Sequence, residues 1–88
     1  MFDELEVKRL AQKYNFKCQI INDKILIKSK LDNWLVEVNM GCHKPYVLRH
    51  YSRSARSCHY HKQRCFYDLP YLFKSIKRHD DITAQPAH

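Results

Sequence analysis

The stretch FKCQIINDKILIKS, residues 16–29, decides how the chain is read. Phe16, Cys18 and Ile20 alternate with Lys17, Gln19 and Ile21, and Ile25 and Ile27 alternate with Lys24 and Lys28. A period of two is the signature of a strand with one buried face. The Asn22-Asp23 pair between the two runs tolerates the positive φ that a tight hairpin demands. Residues 16–29 therefore predict two antiparallel strands. A turn near Lys30–Asn33 leads to a third strand over Trp34–Asn39. There Trp34, Val36 and Val38 share one face and Glu37 and Asn39 the other. Met40–Pro45 holds the single glycine, Gly41, and breaks the pattern. Tyr46–Tyr51 reads as a fourth strand, and part of Cys58–Tyr67 extends the sheet.

Helical patterns flank these strands. Val7, Leu10, Ala11 and Tyr14 repeat at i, i+3, i+4 and i+7, with Asp3, Glu4 and Glu6 in the first turn. That predicts a helix over Asp3–Tyr14, stopping at Asn15. Asp68 is placed as an N-cap with Pro70 in the first turn. Leu69, Leu72, Phe73 and Ile76 form the apolar stripe of a second helix, ending at Lys77, Arg78 and His79. The expected fold is α+β: an antiparallel sheet of three to four strands with both helices packed on one face. Residues 1–79 form one domain and 80–88 a flexible tail.

Eighty-eight residues, 44% of them apolar and 12% aromatic, suffice for a core but not for a large enclosed active site. No segment approaches eighteen consecutive apolar residues, so no membrane span is expected. The acidic, amphipathic N-terminus is unlike a signal peptide, and a cytoplasmic protein is the expectation.

The net charge of +7 is unevenly placed. Residues 1–37 carry seven Lys or Arg against six acids. Residues 38–67 carry six cations and no acid. Residues 68–88 carry three of each. A concentrated excess can build a field that draws a polyanion. Within it, RHYSRSARSCHYHKQRCFY (49–67) interleaves Arg49, Arg53, Arg56, Lys62 and Arg64 with Tyr51, Tyr60, Phe66 and Tyr67. Cations hold phosphates and flat rings stack unpaired bases. A continuing strand puts Arg49, Tyr51 and Arg53 on one face and His50 on the other. Lys74, Lys77 and Arg78, off the apolar stripe of the second helix, extend the patch. The first expectation is a non-enzymatic nucleic-acid-binding protein using Arg49, Tyr51, Arg53, Arg56, Tyr60, Lys62, Arg64, Lys74, Lys77 and Arg78. Solvated cations and core-facing rings are the plainer alternative.

Other readings compete. Cys42, Cys58, His61 and Cys65 could surround a zinc ion, although the spacing lacks a CxxC pair. Reduced, mostly buried thiols are the alternative, with Cys18 in the core. His59, His61 and Tyr60 beside Arg56, Lys62 and Arg64 could cleave RNA, but no neighbouring carboxylate orients the imidazoles. The same aromatic and basic surface could dock on an acidic protein.

The α-βββ-α order resembles the double-stranded RNA-binding domain and the HicA-type toxin. It departs from the first in lacking a GPxH-type turn and a lysine cluster opening the second helix, and from the second in lacking a catalytic histidine after Gly-Ser. LAQKYNFK, DNWLVEV, the His- and Arg-rich loop and YLFKSIKRHD together resemble small orphan proteins of phages and prophages of Gram-positive bacteria. That resemblance implies a host-takeover or accessory protein of the bacterial cytoplasm. It also implies, as an alternative, an inhibitor of a host protein such as a CRISPR nuclease.

Overall fold

The computed structural model describes residues 3–51 and 63–84. Its elements run α1 (Glu4–Tyr14), β1 (Lys17–Ile21), β2 (Lys24–Lys28), β3 (Asn33–Val38), β4 (Tyr46–Tyr51), β5 (Arg64–Phe66) and α2 (Leu69–Ala84). The strands form one antiparallel meander in the order β1-β2-β3-β4-β5.

Local chemistry sets the boundaries. Asp3 caps α1, its Oδ1 accepting from the Leu5 N–H at 3.0 Å and the Glu6 N–H at 3.4 Å. Asn15 ends the helix at φ 59°. There the Phe16 N–H donates to Ala11 O and the Asn15 N–H to Gln12 O, which satisfies two carbonyls of the last turn. Asn22 takes the left-handed conformation in the β1–β2 hairpin, at φ 56°. Asp68 caps α2 by accepting from the Tyr71 N–H at 2.9 Å, so the expected start of this helix holds.

Residues opposite one another in an antiparallel sheet share a face. Cys18, Ile27, Trp34 and His50 form one row, and Ile20, Ile25, Val36 and Leu48 the next. Tyr46 and Phe66 follow. These apolar side chains join Val7 and Leu10 of α1 and Leu69, Leu72, Phe73 and Ile76 of α2 in one buried cluster. Both helices therefore lie on this face, as the period-two pattern requires. The other face carries Gln19, Leu26, Leu35 and Arg49 in one row and Ile21, Lys24, Glu37, Val47 and Cys65 in another.

The α+β architecture is as expected, and Arg64–Phe66, within the stretch expected to extend the sheet, pairs with Tyr46–Leu48 as a fifth strand beyond the expected three to four. One boundary needs correction. The second helix does not stop at His79. It continues through residues expected to form a tail, and Asp80 is buried, accepting the Lys30 N–H at 3.0 Å. That bond ties the last turns of α2 to the β2–β3 turn. No helix among the described residues is long and apolar enough to cross a membrane.

The seam between α2 and the sheet predicts a steep contrast along one helix. Phe73 is fully buried and stacks on Phe16 at 6.0 Å, whereas Lys74 next to it is exposed. Phe73→Ala is expected to cost about 3–5 kcal/mol in urea denaturation, and Lys74→Ala about 0.5 kcal/mol or less.

Candidate functional site

Among the described residues, the cations singled out in the sequence do not share one surface. Arg49 lies on the sheet face that the helices leave uncovered, and its Nε is 2.8 Å from Glu37 Oε1. Glu37 also lies 3.9 Å from Lys24 Nζ. Arg64 faces Leu48 across the strand pair, on the helix-covered side at the edge of the sheet. Its guanidinium sits 5.1 Å from the Phe66 ring centre. Lys74, Lys77 and Arg78 are exposed on α2, and Lys77 Nζ pairs with Asp81 at 2.5 Å. Tyr51 ends β4 opposite Asn33. Arg53, Arg56, Cys58, His59, Tyr60, His61 and Lys62 lie outside the described residues.

Two local environments emerge instead. The first is aromatic and basic and lies at the N-terminal end of α2. Tyr67 and Tyr71 are 57% and 60% exposed, far more than rings that serve a core. Lys44 Nζ stands 5.0 Å from the Tyr67 ring centre, and His43 meets the same ring edge-on at 5.2 Å. Arg64 and Tyr71 line a shallow cleft of about 340 Å³ with Lys44 and Tyr67. The acid of this cleft, Asp68, is engaged as the cap of α2. Lys44 and Arg64 form no carboxylate pair among the described residues.

The second lies about 12 Å away along the helix, at the rise of 1.5 Å per residue between Tyr71 and His79. Here Asp32 of the β2–β3 turn, His50 of β4 and His79 of α2 bring one ligand atom each within 4.8 Å of one another. His50 Nε2 is 2.8 Å and His79 Nδ1 3.8 Å from Asp32 Oδ2. Asp80 Oδ1 is 3.6 Å from His79 Nδ1. Trp34 organises the group: its ring stacks on His50 at 4.2 Å and meets His79 edge-on at 5.0 Å. The Trp34 Nε1–H donates to Ser29 Oγ at 2.8 Å, and the Ser29 hydroxyl and N–H both donate to Asp32 O. Two imidazoles and a carboxylate in this arrangement can hold a metal ion. Beside them, Lys17, Lys28, Lys30 and Lys77 border a cleft of about 500 Å³ that Asp80 also lines.

Of the cysteine set considered for zinc, Cys42 in the β3–β4 connection and Cys65 in β5 are exposed. The metal-competent grouping among the described residues is a different one. Sequence reasoning missed Asp32, His79 and Asp80, which no local spacing links to His50. Its one usable signal was His50, which alternation correctly turns away from Arg49 onto the core face.

Cys18 behaves as the core thiol expected: burial pushes its pKa up to about 11. At pH 8 about one molecule in a thousand then carries the Cys18 thiolate, the reactive form. Alkylation followed by peptide mapping is expected to label Cys42 and Cys65 quickly, and Cys18 only after denaturant is added or the pH approaches 11.

No protein-family model, no curated protein and no solved structure matches this chain at a significant level.

Proposed function

We propose that the protein binds nucleic acid through unpaired bases and does so without catalysing a reaction. The observation that carries this reading is the pair of exposed rings, Tyr67 and Tyr71, set between Lys44 and Arg64. A tyrosine exposed by more than half offers ring surface to solvent, where a base can stack for about 1–3 kcal/mol. Lys44 over the Tyr67 ring and Arg64 in the same cleft supply the phosphate contacts. The sequence between β4 and β5 adds Arg53, Arg56 and Lys62 to the same stretch of chain.

Arg49 has a smaller part in this reading than the sequence suggested. Its guanidinium already faces Glu37, and recruiting it to a phosphate means breaking that contact. Lys74 and Arg78 remain available on α2 as peripheral contacts. The same tyrosines and arginine could anchor an acidic protein. Neutral stacking and counterion release separate the two.

Fluorescence anisotropy with a labelled 20-nucleotide single strand, DNA and RNA in turn, tests the proposal. Affinity is expected to fall steeply with salt, and the slope of log K against log salt to lose about 0.7 for each of Lys44→Ala and Arg64→Ala. The Tyr67→Ala, Tyr71→Ala double variant is expected to weaken binding at least tenfold with the slope kept, and a fully paired duplex to bind more weakly than the single strand. Salt-independent affinity, or an unchanged double variant, overturns the reading. Capture of a host protein that survives nuclease treatment, with no oligonucleotide binding, points to the protein-docking alternative.

A further inference from the structure

We infer that Asp32, His50 and His79 form a binding site for one late first-row transition-metal dication, zinc being the type. The site is independent of the tyrosine surface and lies at the other end of α2. Three separate elements deliver its ligands: the β2–β3 turn, the β4 strand and the α2 helix. Residues so far apart in sequence meet only when all three elements are docked, which is how a metal staples a small domain.

The distances suit an ion. A metal at about 2.0–2.2 Å from each ligand holds those ligands roughly 3.0–3.5 Å apart. The separations from Asp32 Oδ2, 2.8 Å to His50 and 3.8 Å to His79, bracket that range. The three ligand atoms lie within 4.8 Å of one another, so side-chain shifts of about 1 Å bring them onto one ion. His79 is 35% exposed while Asp32 and His50 are 13% and 16%, so the ion reaches the site past His79.

The surroundings are built rather than incidental. Two hydrogen bonds from Ser29 hold the main-chain carbonyl of Asp32 and so fix the turn that carries it, and Trp34 holds the Ser29 hydroxyl. Trp34 packs against both imidazoles and limits their rotation. Such outer partners set the orientation of metal-binding side chains. A second observation points to a cation. Asp80 is 3% exposed and its Oδ1 has no hydrogen-bond partner, yet this oxygen lies 3.6 Å from His79 Nδ1. Asp32 and Asp80 thus bring two carboxylates to one largely buried pocket, a donor set that suits a dication. Asp80 Oδ2 is already held by the Lys30 N–H, so Oδ1 stays directed at the group.

The donor set selects the metal. Imidazole nitrogens with a carboxylate suit zinc, cobalt, nickel, copper and iron, whereas calcium and magnesium prefer all-oxygen sites. Three protein ligands leave a coordination position open to water or a small anion.

The sole tryptophan, Trp34, lies within 5.0 Å of both imidazole ring centres and reports on the site. The full chain is stripped with chelator and titrated with cobalt(II), then with zinc(II) in competition. Expected are a stoichiometry of one, quenching of Trp34 by cobalt and its reversal by zinc, and cobalt absorption bands of a nitrogen and oxygen site without thiolate charge transfer. His79→Gln and Asp32→Asn are each expected to raise the dissociation constant at least tenfold, while Cys42→Ser with Cys65→Ser leaves it unchanged. Zinc is expected to raise the urea midpoint of the parent and not that of His79→Gln, whose metal-free midpoint stays close to the parent's. Absence of binding overturns the inference. So does stoichiometric binding that persists in both site variants, or that disappears with the two cysteines.

Discussion

One constraint orders the molecule: two helices must cover the same face of a five-stranded meander, because Ile20, Ile25, Ile27, Trp34, Val36 and Leu48 of β1 to β4 all point there. Ile25 and Val36 sit side by side at 0% exposure, with Leu72, Phe73 and Ile76 of α2 above them equally buried. In an 88-residue chain this cluster is the core. Polar chemistry is thereby pushed to the uncovered face of the sheet and to the two ends of α2. The tyrosine surface occupies one end and the His–Asp group the other.

Electrostatics follow from that geometry more than from the order of charges along the chain. The acid-free run begins at Val38, directly after Glu37. Yet Glu37 reaches Arg49 on the neighbouring strand and Lys24 on the other side. A carboxylate just outside the counted window thus neutralises a cation inside it. Conversely, Lys17 and Lys28 come from the charge-balanced third of the chain and face each other across β1 and β2. Like charges directly opposite are unfavourable. With Lys30 they leave a cationic cleft beside Asp80 that no segment count reveals.

The His–Asp group shows how packing gives polar residues a defined geometry. Trp34 is a core residue at 5% exposure, and alternation on β3 puts it there. Its ring supports His50 and His79, and its N–H is satisfied through Ser29, which in turn holds the main-chain carbonyl of Asp32. Asp80 links the same corner to the backbone of Lys30. A buried carboxylate is expensive unless its oxygens are engaged. The extra turns of α2 are therefore tied to this corner and do not fray at His79.

From the sequence alone, much of the architecture was legible. Alternation over residues 16–29 and 34–39 specified the strands and their buried faces, and Asp3, Asn15 and Asp68 marked helix boundaries through chemistry local to a few residues. The turn of His50 toward the core could also be read from period-two spacing. What could not be read was which distant groups meet. Glu37 with Arg49, Lys30 with Asp80, and Asp32 with His50 and His79 are separated by 12 to 50 residues, and strand register and helix docking alone bring them together. Hydrophobic period is a property of neighbours in the chain. Ion pairs, clefts and ligand sets are properties of neighbours in space, and only the folded core creates those.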